Sequence, residues 1–197
     1  MVEELLLHPT RAQLRAELRA RRAALKPGER LAAADAVARH LGDREELRQP
    51  GYIGGYWAVN GELPLHSVQL RLAPGQVWCL PVVQPDGGLR FAPWRAGDPL
   101  APNRYGIPEP EAQTTLAPQD LSLVLLPLLG FDRRGGRLGM GGGYYDRAFA
   151  FRHDQPAPPR LVGIGYACQE LPALTAETWD VSLDAVVTEH GFVPIGR

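Results

Sequence analysis

Three short and nearly continuous apolar runs, at residues 121–126, 161–166 and 185–188, set the architecture of this chain. A strand with one solvated face alternates apolar and polar side chains, whereas a continuous run belongs to a strand covered on both faces, as in a parallel sheet. Residues 52–57 and 77–83 read as further strands and residues 65–72 as a short helix. Residues 89–94 read as an antiparallel strand, because Asp86-Gly87-Gly88 makes a hairpin turn ahead of it. The proline-rich stretch 95–118 reads as a loop wrapping the surface. Strands separated by helices predict an α/β fold: a single three-layer domain over 1–197, with a mostly parallel central sheet flanked by helices. No internal repeat or low-complexity linker divides it.

Two helices precede the strands. Thr10 followed by Gln13, after Pro9, is a capping-box pattern. Leu14, Leu18 and Leu25 then share one side of a helix, and Arg11, Arg15, Arg19 and Arg22 repeat along another. Pro27-Gly28 breaks it, and a second helix places Leu31, Ala34, Val37, Ala38 and Leu41 inward, with Gly42 as its stop.

Composition excludes several classes. A net charge of −1 gives no global attraction to nucleic acid or an anionic membrane. Cys79 and Cys168 stand far apart with no C-x-x-C spacing, which reads as two buried small hydrophobes in a reducing compartment. His8, His40, His66, His153 and His190 show no paired metal-ligand spacing. The leucines at 5–7 stop at His8-Pro9, so no signal pattern forms, and no apolar run has the length of a membrane helix. The expectation is a cytoplasmic protein, a monomer or weak homodimer without nucleic-acid or membrane partners.

The chemistry lies after the run at 121–126. There Arg137, Leu138, Gly139, Met140, Gly141, Gly142, Gly143, Tyr144, Tyr145 and Asp146 form a glycine-rich loop entering a helix. Strand, glycine loop and helix together present backbone N–H groups to phosphate, and missing β-carbons allow close approach. Arg137 can add a bidentate contact, and Asp146 can hold Mg²⁺ against a triphosphate. Neither G-x-x-x-x-G-K-[ST] nor G-x-G-x-x-G is present. The glycines alone are compatible with phosphate binding or with a merely structural turn; Arg137 and Asp146 favour the former.

Gly130-Phe-Asp132, Gly136-Arg-Leu-Gly139 and Gly141-Gly-Gly-Tyr-Tyr-Asp146 together resemble the signature of 5-formyltetrahydrofolate cyclo-ligases. Other family-like segments follow in order: Arg11-x-x-Leu14-Arg15, Gly61-Glu62, Leu80-Pro81-Val82, Tyr105-Gly-Ile-Pro-Glu-Pro110, Gly163-Ile-Gly-Tyr166 with Gln169, and the stretch from Trp179 to Glu189. The resemblance implies transfer of a phosphoryl group from ATP to the formyl oxygen of 5-formyltetrahydrofolate, attack by nitrogen 10 and release of phosphate. It also implies Arg137 and Tyr145 as catalytic groups. ATP would contact Arg11, Arg15 and the residues from Arg137 to Tyr145. Folate would lie among Trp57, Glu62, Met140, Gly141, Gly142, Gly143 and Tyr144, and Asp146 and Asp184 would hold Mg²⁺.

Two departures from the family pattern stand out: Arg11 occupies a position that is usually lysine, and Leu63-Pro64-Leu65 replaces a usual Val-Asp-Thr after Glu62. Taken one at a time, Arg11 and Arg15 also fit a solvated basic face, Glu62 a turn, Trp57 core packing, and Asp184 a strand start. Three other functions stay open: a phosphotransferase with another small acceptor, a folate or nucleotide binder without turnover, and nucleic-acid binding through the arginine-rich first helix.

Overall fold

A computed structural model describes residues 9–196. The leucines at 5–7 and His8 lie outside them. Helix α1 (Arg11–Ala23) starts at the expected capping box: Gln13 N–H donates to Thr10 Oγ1 (3.3 Å) and Thr10 N–H to Gln13 Oε1 (2.8 Å). Helix α2 (Pro27–Gly42) buries Ala33, Ala34, Val37, Ala38 and Leu41. Two expectations fail on these helices. Leu31 is 58% exposed, because the buried stripe begins at Ala33 and runs along the alanines. The arginine face of α1 also splits, since Arg19 is exposed while Arg22 lies buried beside Leu18.

Among the described residues the central sheet has seven strands. These are β1 (Gly51–Gly54), β2 (Gln76–Val83), β3 (Leu89–Pro93), β6 (Leu123–Pro127), β9 (Arg160–Ile164), β10 (Ala185–Thr188) and β11 (Gly191–Pro194), ordered β11-β10-β9-β6-β1-β2-β3. The five inner strands are parallel, while β3 and β11 pair antiparallel at the edges, β3 as its hairpin turn required. Alternate residues divide between two cores. Leu123, Leu125, Val162, Ile164, Ala185 and Val187 face α2, whereas Val124, Leu126, Leu161 and Val186 face a second cluster around Phe149, Leu128 and Leu183. This two-sided burial is the physical reason that the runs are continuous.

Several boundaries shift. The first strand closes at Gly54, so Trp57 lies beyond its end, and the short helix α3 covers only His66–Gln69. The stretch 95–118 is not all loop, because β4 (Leu100–Pro102) and β5 (Pro108–Pro110) form an antiparallel hairpin. Between β6 and the next helix stands a second small hairpin, β7 (Gly130–Phe131) with β8 (Arg137–Leu138). That helix, α4 (Tyr144–Ala148), is a single short turn.

The connection from β1 leads to β2 on one side, and that from β6 leads to β9 on the other. Such a reversal opens a crevice at the carboxyl ends of the two central strands, where α/β sheets place ligands. Here that crevice lies between the segment after β1, carrying Trp57 and Glu62, and the segment after β6, carrying the glycine run. Gly55 lines its floor: a β-carbon there would meet Trp78 Cζ2 at 2.0 Å, and Trp78 is buried. Gly55→Ala is expected to destabilise the protein by about 1–3 kcal/mol through overpacking, read as a lower thermal midpoint.

Candidate active site

The hairpin that ends in Arg137 is tied down by one buried carboxylate. Asp132 is 1% exposed and accepts from Arg134 N–H (2.9 Å), Gly136 N–H (2.9 Å) and Leu174 N–H (2.8 Å). Gly135 makes the turn at φ +89°, a left-handed conformation that disfavours side chains. Arg137 therefore leaves β8 in a fixed direction. Its guanidinium donates to Asp146 Oδ1 (2.5 Å) and to the Val181 carbonyl (2.5 Å), with 8% of the side chain exposed. Burial lowers its pKa, and the charges of Asp146 and Asp180 work against that; an arginine remains a cation under such conditions.

The glycine run continues from Arg137 and Leu138. Gly141 and Gly143 have φ of +103° and +65°. Arg15 Nε holds the Gly139 carbonyl (2.9 Å), and Arg147 holds that of Gly142 (2.9 Å). Among the described residues, none of the amide N–H groups from Gly139 to Gly143 donates a hydrogen bond to the protein. Backbone donors left in this way need an outside acceptor, water or ligand. Met140 is exposed at the tip of this run.

One wall of the loop comes from the β4–β5 hairpin. Tyr105 lies edge-on to Tyr144 at 6.0 Å and hydrogen-bonds its hydroxyl, which also accepts from Arg104 (2.8 Å). Arg147 covers the other side of the Tyr144 ring at 5.0 Å. The hydrogen bond with Tyr105, aided by Arg104, lowers the Tyr144 hydroxyl pKa.

Across the crevice, Asn60 and Gly61 take positive φ (51° and 76°), and Glu62 closes the turn by accepting from Val59 N–H (3.1 Å). Burial raises the Glu62 pKa, against the Val59 hydrogen bond and the charge of Arg22. Burial also raises Tyr56 and Tyr145, and in both the Glu62 charge adds to the rise. Trp57 is 38% exposed and edge-on to Trp94 at 5.9 Å. The Leu63-Pro64-Leu65 departure has a structural reason, since Leu63 and Leu65 enter the core beneath the sheet.

The structure thus gathers Arg137, the glycine run, Tyr144, Tyr145 and Asp146 on the segments after β6, with Arg15 joined to them from α1, and sets Trp57 and Glu62 on the segment after the neighbouring parallel strand β1. Arg11 stands at the crevice edge, paired with Asp180 and donating to the Thr175 carbonyl (3.0 Å). Its pKa is raised, chiefly by the Asp180 hydrogen bond. Asp184 is differently engaged: both oxygens accept from Arg152 (2.9 Å each), and Oδ2 also accepts from Leu161 N–H (2.8 Å). Among the described residues, no group of three or more His, Cys, Asp or Glu converges as a metal cluster. Cys79 is buried in the core, and burial pushes its thiol up to about 12. The sequence reading assigned no role to Asp132, Asp180, Tyr105, Arg30 or the buried Arg22. For Arg22 a signal existed, because it follows Leu18 by one helical turn on the inner stripe.

A sequence model described as the 5-formyltetrahydrofolate cyclo-ligase family matches residues 8–189. A 5-formyltetrahydrofolate cyclo-ligase of Haemophilus influenzae is 34% identical over 178 residues, which is 88% of this chain and 94% of that protein. One from Escherichia coli is 33% identical over 178 residues, 87% of this chain and 96% of that protein. The solved structure of Aquifex aeolicus 5,10-methenyltetrahydrofolate synthetase superposes with a TM-score of 0.81 at 26% identity, covering 95% of this chain and 94% of the other.

Proposed function

This chain belongs to the 5-formyltetrahydrofolate cyclo-ligase family, and on that premise we propose that it converts 5-formyltetrahydrofolate to 5,10-methenyltetrahydrofolate at the expense of Mg·ATP, releasing ADP and phosphate. The free amides from Gly139 to Gly143, at the crevice edge beside Arg137, carry the ATP half of this reading. They present donors to the phosphate oxygens, with Arg15 setting the loop's shape from α1 and Arg11 bordering it.

A formamide carbon is a poor electrophile and its oxygen a poor leaving group. In the first step the formyl oxygen bonds to the γ-phosphorus of ATP as the bridging P–O bond breaks, leaving ADP. Nitrogen 10 then bonds to the formyl carbon and loses its proton, and the C–O bond breaks with departure of phosphate. Arg137 neutralises charge on the moving phosphoryl group. Tyr145, kept protonated by its burial, donates a hydrogen bond to an oxygen of the same group. Glu62 accepts the two adjacent donors of the pterin, Trp57 lines that side, and Met140 and Tyr144 form the opposite wall.

Among the described residues both donors to Asp146, Arg137 and Val181 N–H (3.2 Å), fall on Oδ1, which leaves Oδ2 for a hard cation. One carboxylate with substrate phosphates is a normal set for Mg²⁺, so the residues fit that ion, and it would supply charge neutralisation on the triphosphate. Geometry favours Asp146 over Asp184 as its holder, because Asp184 is spent on Arg152. We propose in addition that residues 1–197 act as one unit, as a monomer or weak homodimer in the cytoplasm. Among the described residues no helix is long and apolar enough to cross a membrane.

The test is a mixture of purified protein, 5-formyltetrahydrofolate and Mg·ATP, followed for the methenyl chromophore and ADP in parallel. Equal amounts of both are expected. ADP without chromophore, or tight folate binding without either, would overturn the ring closure.

A further inference from the structure

Arg22 lies where an arginine ordinarily does not. It sits on the inner stripe of α1 at 2% exposure, next to the fully buried Leu18. Its Nη1 makes one long contact, 3.5 Å to the Leu128 carbonyl, which already accepts from Gln169 Nε2 at 2.8 Å. Its Nη2 is buried with no hydrogen-bond partner among the described residues. A buried cation left this way is strongly unfavourable unless a counter-charge compensates it.

The neighbouring contacts bring the turn that carries Glu62 to this corner of the fold. Arg30 of α2 donates to the carbonyls of Arg22 (2.7 Å) and Leu25 (3.0 Å) and reaches the Gly61 carbonyl (3.1 Å). The corner between α1 and α2 therefore grips the turn that carries Glu62. Tyr166 hydroxyl reaches the Glu62 carbonyl (3.5 Å), and Tyr56 hydroxyl the Leu63 carbonyl (2.6 Å). With the backbone so held, the Glu62 carboxylate has the Val59 N–H on one oxygen and Arg22 as the cation acting on it from α1.

We propose that Arg22 is a positioning residue for folate recognition: its buried, partly unpartnered guanidinium keeps Glu62 an ionised carboxylate aimed at the donor edge of the pterin. This rests on the folate reading of Glu62. The 2-amino group and the adjacent ring N–H of a reduced pterin are two donors side by side, and only an ionised carboxylate offers two acceptors to them. A protonated Glu62 would set a donor against a donor. Burial pushes Glu62 towards that protonated form, and Arg22 opposes it. The other groups facing this turn are the phenols Tyr56, Tyr145 and Tyr166, raised by burial and neutral at ordinary pH, and Arg30, whose donors are committed to carbonyls.

The test compares Arg22→Met with Arg22→Lys. The first readout is the carboxyl titration of Glu62 in protein carrying ¹³C-labelled glutamate, its signal identified by loss in Glu62→Gln. Arg22→Met is expected to move the midpoint upward and Arg22→Lys to leave it near wild type. In turnover, Arg22→Met should raise KM for 5-formyltetrahydrofolate about tenfold, the scale of one charge-assisted hydrogen bond. KM for ATP and kcat should hold, and the acid limb of kcat/KM should move to higher pH. In a Glu62→Gln background, Arg22→Met should add nothing further. Should Arg22→Met fail to fold, recovery in the double variant Arg22→Met/Glu62→Gln supports the pairing, and failure there too overturns it. An unmoved Glu62 titration in folded Arg22→Met also overturns it. That titration needs no folate, so it judges Arg22 even if the wild-type protein forms no methenyl product, a result that would overturn the folate reading itself.

Discussion

Arg137→Ala is expected to lower kcat/KM by about a thousandfold or more, the usual scale for removing a cation that stabilises a transferring phosphoryl group. The size follows from placement. The guanidinium is nearly buried, is oriented by Asp146 and the Val181 carbonyl, and borders the free amides of the glycine run. A preorganised charge in such a site needs no rearrangement when phosphate charge develops. Loss of the side chain also leaves the Val181 carbonyl without its donor, while Asp146 retains Val181 N–H. A stability loss of about 1–3 kcal/mol should accompany the rate loss, too small to explain it. Arg137→Lys keeps a charge but not the planar fork that spans both acceptors, and should fall between alanine and wild type. Methenyl absorbance and a thermal melt of each variant measure the two effects separately. A near-normal rate for a folded Arg137→Ala would remove Arg137 from the chemistry.

The central sheet was legible because burial on both faces leaves a continuous apolar record, as at Leu123, Val124, Leu125 and Leu126. The β4–β5 hairpin was not, since its three-residue strands carry prolines, which ordinarily argue against a strand. Leu31 matched the helical period of α2, yet period alone does not say how far along the helix the core extends. At the site, the local part was readable: Arg137, the glycines and Asp146 are near neighbours in the chain, and their chemistry does not wait on tertiary structure. The partners brought from far away were not. Asp180 engages Arg11 from the other end of the chain, and Tyr105 reaches Tyr144 from an intervening hairpin. Arg22 was hidden differently, because it is read with the arginine face of the first helix until the fold buries it beside Leu18.

Asp184 and Asp146 illustrate how the same residue type at a strand start and in a phosphate loop comes to do different work. Asp184→Asn removes the counter-charge of Arg152, whose side chain is fully buried and whose Nε already lacks a partner among the described residues. Breaking one side of such a pair leaves an uncompensated buried cation, and the expected loss is about 3–5 kcal/mol of stability. It should be read as a lower denaturant midpoint with an unchanged slope. The Mg²⁺ concentration that half-saturates the surviving activity should stay near wild type. Asp146→Asn should do the reverse, raising that Mg²⁺ requirement about tenfold or more at a smaller cost in stability, since Asp146 lies nearer solvent and its donors Arg137 and Val181 N–H can still meet an amide oxygen. Arg152→Met/Asp184→Leu, which removes both charges and keeps bulk, should recover much of the stability that Asp184→Asn loses. A stable Asp184→Asn protein with a raised Mg²⁺ requirement would instead return Asp184 to the metal set and make its pairing with Arg152 secondary.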